Sequence, residues 1–169
     1  MKMSPLPGWV RFYFYGMHGF FDEIIFTSIF DHVASDGNNW SLKGHSSIYS
    51  FFIYGSCCFA VEYLYRIFIK RGIPLLSRLF VYLIICYAWE LCSGLILRQF
   101  NACPWDYSHY PLNFMGLITL EYAPGWLFLS LWQDVMFGYF LRLRFHGDGD
   151  FQFIESNNSN DVKNGKKVK

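Results

Sequence analysis

The chain has 169 residues, of which 53% are hydrophobic, 22% aromatic and only 16% charged. That is room for one domain, with far fewer charges than the roughly 25% of a soluble one, so the composition suits a lipid bilayer as solvent. A net charge of +1 leaves no basic face once the tail lysines are set aside, which excludes nucleic acid as a partner.

Crossing the hydrocarbon takes about 20 apolar residues of helix, and four windows qualify: Trp9–Val33, Ser47–Ile69, Leu75–Leu97 and Trp126–Leu143. The expected fold is an all-α membrane protein, a four-span helical bundle over residues 1–146 followed by a disordered cytosolic tail over 147–169. The first window opens on Trp9, Phe12, Tyr13, Phe14 and Tyr15, the aromatic density of a helix at the membrane interface. Basic residues before it are sparse and acids interrupt it, unlike a cleaved leader, so it is expected to stay as the first span. His18 sits between Gly16 and Gly19, one turn before Asp22. The pair therefore shares a helix face, while the glycines admit a close neighbour. Packing and proton shuttling are both open to it.

After the third window comes a polar loop, Asn101-Ala102-Cys103-Pro104-Trp105-Asp106-Tyr107-Ser108. Pro104 is expected to end the helix, Asp106 to close a local side-chain turn, and Trp105 and Tyr107 to anchor the loop at the interface. Arg98 can reach Asp106 or Glu121. The next apolar run, Leu112–Tyr122, rises only about 16 Å as a helix. That is too short to cross, so a half-helix or re-entrant segment is expected before the last span, or else one helix kinked at Pro124.

Loop charges set the orientation. Arg66, Lys70, Arg71 and Arg78 surround the second connection, and Arg142 and Arg144 close the last window. Positive-inside bias places that connection and both termini in the cytosol. The tail from Gly147 onward has little to bury. Lys166 and Lys167 match a dilysine address for the endoplasmic reticulum, read by a coat receptor on the cytosolic side.

The cysteines Cys57, Cys58, Cys86, Cys92 and Cys103 lack metal-ligand spacing and imply no disulfide framework. No metal and no cofactor is expected. Cys103 would need a base or cation beside it to act as a nucleophile, and His109 is the nearest histidine in sequence. Acids recur inside the spans: Asp22 and Glu23 in the first, Glu62 in the second, Glu90 in the third and Asp134 in the fourth. Glu23, Glu90 and Asp134 fall near mid-membrane, and Glu62 nearer the cytosol. A carboxylate at the bilayer centre costs at least about 2.5 kcal/mol, so these acids are expected to face one another or a wet cleft. Two uses compete, a proton, ion or substrate site and helix-to-helix glue through His18, Tyr54, Tyr87 or Gln133.

The loop with its flanks Leu97-Arg98-Gln99-Phe100 and Phe114–Tyr122 resembles the transmembrane protein 229 family. The runs Gly16-Met17-His18-Gly19-Phe20, Phe52-Ile53-Tyr54-Gly55, Trp89-Glu90 and Leu141-Arg142-Leu143-Arg144 carry the same likeness, over roughly Trp9 to Arg144. The resemblance implies the architecture rather than a chemistry. Bacterial relatives of that family carry an ABC-transporter type IV label, but this chain has no Gly-x-x-x-x-Gly-Lys-Ser/Thr stretch to cradle a nucleotide.

Three functions follow. The foremost is small-solute or ion handling through His18, Glu23, Glu62, Glu90 and Asp134. The second is a membrane enzyme acting on lipid, with Glu90 or Glu121 as acid/base and the loop (Arg98, Asn101, Cys103, Pro104, Trp105, Asp106) clamping a headgroup. The third is a non-catalytic subunit of a membrane complex. Four short spans make a small bundle, so a transporter of this size implies a homo-oligomer.

Overall fold

The computed structural model describes residues 4–34, 37–38 and 40–145. Four helices dominate: α1 Gly8–Ala34, α2 Ile48–Lys70, α3 Leu75–Gln99 and α4 Ala123–Phe140. Four two-residue strands accompany them, β1 Ser4–Pro5, β2 Asn113–Phe114, β3 Ile118–Thr119 and β4 Arg144–Phe145.

Local chemistry fixes the helix ends. Ser47 caps α2, its hydroxyl accepting from the Tyr49 amide at 3.3 Å. At the other end Gly72 takes the left-handed conformation (φ 66°), with Ile73 N–H donating to Phe68 O and Gly72 N–H to Ile69 O. These two bonds close the helix in a Schellman turn. The end of α3 repeats the device with a non-glycine residue: Asn101 has φ 53°, Ala102 N–H donates to Leu97 O and Asn101 N–H to Arg98 O. Asn101, and not Pro104, therefore stops the third helix.

The run Leu112–Tyr122 is not a half-helix, nor is it the start of a helix kinked at Pro124. It is an antiparallel hairpin, β2 pairing with β3, followed by a single 3-10 turn over Leu120–Tyr122. Met115 and Gly116 both have positive φ (56° and 64°), and Leu117 N–H donates to Phe114 O at 3.1 Å. That is the tight turn whose twist suits a two-residue hairpin. Pro124 lies in the first turn of α4, where its missing N–H is not needed.

The helices pack up-down-up-down, each antiparallel to its neighbours in sequence. Arg11 near the start of α1 meets Glu62 late in α2, Tyr82 early in α3 stacks on Phe68, and Arg78 meets Asp134 of α4. A Cβ on Gly16 would lie 2.7 Å from Phe51, and one on Gly19 would overlap Tyr54. α1 and α2 are in contact there because neither glycine has a side chain. Tyr15, Tyr82 and Phe137 are fully buried at the centre, Tyr15 edge-on to Phe137 with centroids 5.4 Å apart. β1 pairs with β4, tying the segment before α1 to the segment after α4.

By length and composition, α2 and α3 are the two described helices apolar enough to cross a membrane. The proposed tail, with Lys166 and Lys167, lies outside the described residues.

Candidate functional site

The acids carried by the helices separate into two kinds. Glu62 is 3% exposed and fully engaged: Arg11 Nε donates to it at 2.8 Å, Arg66 Nη2 at 2.6 Å and the Tyr15 hydroxyl at 2.7 Å. Asp134 is 8% exposed and gripped in the same way, by Arg78 Nε at 2.9 Å, Arg78 Nη2 at 2.7 Å and the Tyr82 hydroxyl at 3.2 Å. Paired charges of this kind hold helices together. Asp134 was expected to join Glu23 and Glu90; it does not, because Arg78 holds it at the N-terminal end of α3.

Glu23 and Glu90 are different. Both line a partly open cavity of about 80 Å³ bounded by all four helices and by the loop after α3. Among the described residues, no Lys or Arg lines it. The Ser46 hydroxyl donates to Glu23 Oε2 at 2.7 Å, and the Tyr107 hydroxyl to Glu90 Oε1 at 3.0 Å. Three further polar atoms on the wall, Glu90 Oε2, Gln133 Oε1 and Ser130 Oγ, are buried without a protein partner. A volume of this size admits several waters or one small molecule.

His18 and Asp22 approach to 2.6 Å between Nδ1 and Oδ2. Trp132 Nε1 donates to His18 Nε2 at 2.6 Å. An acceptor at Nε2 puts the proton of a neutral ring on Nδ1, facing Asp22. His18 thus bridges α1 to α4 outside the cavity, while Asp22 belongs to the wall.

The polar loop forms one end of the cavity. Trp105 and Tyr107 line it. Trp105 Nε1 donates to Leu117 O at 3.1 Å, and both residues rest against Gly94 of α3, where a Cβ would lie 3.1 Å from Trp105 and 2.6 Å from Leu117. Burial, then the adjacent Glu90, pushes the Tyr107 phenol well above its usual range, so it remains a donor. Asp106 makes the expected turn, accepting from Ser108 N–H at 3.0 Å. That bond, with the Ser108 hydroxyl, holds its carboxyl below the usual range. Arg98 lies 3.8 Å from Asp106 and donates to Met115 O at 2.5 Å. Glu121 is held instead by the Thr119 hydroxyl and by Leu112 N–H, which lower its pKa in that order. The Cys103 thiol contacts Trp105 O at 3.4 Å.

Sequence reasoning did not pick out Tyr107 as the partner of Glu90, nor Ser130 and Trp126 as cavity wall. Nor did it find the arginine–tyrosine grip on Glu62 and Asp134. A recurring Arg-x-x-x-Tyr in α1 and α3 was the available signal. Among the described residues, no group of three or more His, Cys, Asp and Glu side chains could hold a metal ion.

No solved structure matches the chain. Over residues 10–144 it matches the model of one protein family. On that match, which spans most of the sequence and all four helices, the chain belongs to the family described as "Putative ABC-transporter type IV".

Proposed function

We propose that this is a four-span membrane protein of the transmembrane protein 229 branch that handles a small solute or ion through the cavity between Glu23 and Glu90. One observation carries the reading: Glu23 and Glu90 share a cavity with no lysine or arginine on its wall, while Glu62 and Asp134 are each neutralised by arginine and Asp22, the third acid on the wall, is paired with His18. Acids kept only as glue would be partnered as Glu62 and Asp134 are. The family's transporter-related description points the same way.

The outer faces of α1 and α4 support four spans, since Phe21, Ile29, Phe128 and Tyr139 are more than half exposed and suit lipid. Arg11, Arg66, Lys70, Arg71, Arg78, Arg142 and Arg144 gather at one end of the helices, which supports cytosolic termini. The compartment in this reading is the endoplasmic reticulum, with Lys166 and Lys167 as the address and a coat receptor as partner. The bundle is small enough that a homo-oligomer or a larger membrane complex completes it. A lipid-acting enzyme is disfavoured by Glu121, whose carboxylate is occupied in closing the hairpin.

The test is rescue of a knockout, read by metabolite and lipid profiling, with wild type, Glu90→Gln and the double variant Glu23→Gln/Glu90→Gln. Loss of rescue by normally folded amide variants supports the site. Full rescue by the double variant sinks it and leaves the interaction-subunit reading. Orientation is checked by a glycosylation sequon introduced at Ser108, which should be modified, while the native sequon Asn157-Asn158-Ser159 in the tail stays bare.

A further inference from the structure

The two arginine grips are parts of a longer correspondence. In α1 and its lead-in, Leu6, Pro7, Arg11, Tyr15 and Glu23 follow one another at the same spacings as Ile73, Pro74, Arg78, Tyr82 and Glu90 in α3. The contacts repeat along with the residues. Arg11 donates to Leu6 O and Arg78 to Ile73 O, and each arginine's amide donates to the preceding proline's carbonyl at 3.2 Å. Each arginine and its tyrosine then hold an acid in the next helix, Glu62 for the first pair and Asp134 for the second.

Bringing Glu62 onto Asp134 also aligns the rest of α2 with α4. Tyr54 then corresponds to Trp126, Cys58 to Ser130 and Tyr65 to Phe137. Two of these corresponding pairs touch each other, Tyr54 against Trp126 at 6.2 Å and Tyr65 against Phe137 at 5.6 Å between centroids. Equivalent residues meet themselves only beside a two-fold axis. The axis therefore runs between α2 and α4, along the helices, as in parallel transporter repeats. The cavity lies on it: Gly19, Asp22 and Glu23 on one wall correspond to Cys86, Trp89 and Glu90 on the other.

We infer that α1–α2 and α3–α4 are two copies of one helical hairpin, and that the cavity on their shared axis binds a small organic ammonium ion bearing N–H donors. The inference rests on the solute-handling reading above. Its chemistry comes from the wall. Glu23 and Glu90 face the cavity from equivalent positions, so a single positive charge on the axis is attracted by both. Trp89, Trp105, Trp126, Tyr54 and Tyr107 line it with aromatic rings, a wall that favours an organic cation over a strongly hydrated metal ion. Ser130, 4% exposed, presents an unpartnered hydroxyl, and Gln133 Oε1 and Glu90 Oε2 are unpartnered acceptors. Acceptors in that state call for a ligand that donates hydrogen bonds.

The full-length protein in lipid nanodiscs is titrated with propylammonium, tetramethylammonium and potassium chlorides at equal ionic strength, reading tryptophan fluorescence and melting temperature. Propylammonium is expected to saturate and raise the melting temperature, tetramethylammonium to bind about tenfold more weakly for want of donors, and potassium to have no effect. Glu23→Gln and Glu90→Gln should each weaken propylammonium by about tenfold, and Trp126→Leu should weaken it without altering charge. Ser130→Ala, the mildest change, serves if an amide variant fails to fold and should also weaken binding. Saturation by potassium with no preference for propylammonium overturns the ammonium assignment but leaves the solute-handling reading standing. Amide variants whose effects differ from each other by more than about a hundredfold overturn the equivalence of the two carboxylates. No response to any cation overturns the ammonium inference, and only rescue of the knockout by the double amide variant removes the reading beneath it.

Discussion

Arg78 holds Asp134 with two parallel hydrogen bonds, 2.9 and 2.7 Å, and both side chains are about nine-tenths buried. A carboxylate so held is a structural element of the α3–α4 pair. Leaving one member of a buried ion pair alone costs about 3–5 kcal/mol. Arg78→Met is therefore expected to lower the melting temperature in detergent by several degrees or abolish folding. The pair Arg78→Met/Asp134→Leu should cost clearly less than the two single changes added together. Additive losses in that double-mutant cycle would show that the two side chains do not act as a unit.

Glu90→Gln keeps an acceptor for the Tyr107 hydroxyl, so the fold and the loop should survive while the ionisable group is lost. Glu90→Leu leaves that hydroxyl buried and unpaired, at about 1–3 kcal/mol. Amide hydrogen exchange across residues 101–122 distinguishes the two: unchanged for Gln, faster for Leu. Faster exchange in both would mean that charge, rather than the hydrogen bond, holds the loop.

Gly94 is where the loop rests on α3. A methyl group there meets Leu117 and Trp105, and over-packing of this sort costs about 1–3 kcal/mol. Gly94→Ala should displace the loop from the cavity and red-shift tryptophan emission as Trp105 meets water. An unshifted spectrum with a normal melting temperature would place the loop's support elsewhere.

Asp106 supplies a pH dependence with a definite sign. Its carboxyl titrates below its unfolded value because the Ser108 amide and hydroxyl favour the charged form. The ordering it gives the loop is thus complete above the usual carboxylate range and lost as pH falls through the lower, folded value. Exchange protection around Ser108 should fall in acid, and Asp106→Asn should flatten that dependence. Glu121, also held low, accounts for any remainder.

All four helices were legible in the sequence because hydrocarbon-length apolar runs bounded by Ser47, Gly72 and Pro124 leave few alternatives. The hairpin over 113–119 was not. Its apolar density hid the period, and its turn places Met115 in a left-handed conformation that sequence preference reserves for Asn or Gly. Depth along each helix located Glu23 and Glu90 but not their partners. Counting along the helix misplaced Asp134: its partners Arg78 and Tyr82 lie about two to three turns of α3 before Glu90, so the two acids sit at different depths and only Glu90 reaches the cavity beside Glu23. Glycines at 16 and 19 announced the close approach of α1 and α2, since nothing else explains small residues among so many large ones.

The contact of Arg11 with Glu62 and of Arg78 with Asp134 has a consequence for how the protein is made. Each opposing charge is supplied by the very next helix, and each of these two pairs of helices leaves the ribosome as consecutive segments. A helix carrying an uncompensated ion waits at a cost in lipid. α1 with α2, and α3 with α4, can cancel these charges as soon as the second segment emerges. In the four-span reading proposed above, membrane insertion is then expected to proceed two helices at a time, with the Arg71–Gly72 turn as the natural pause between them.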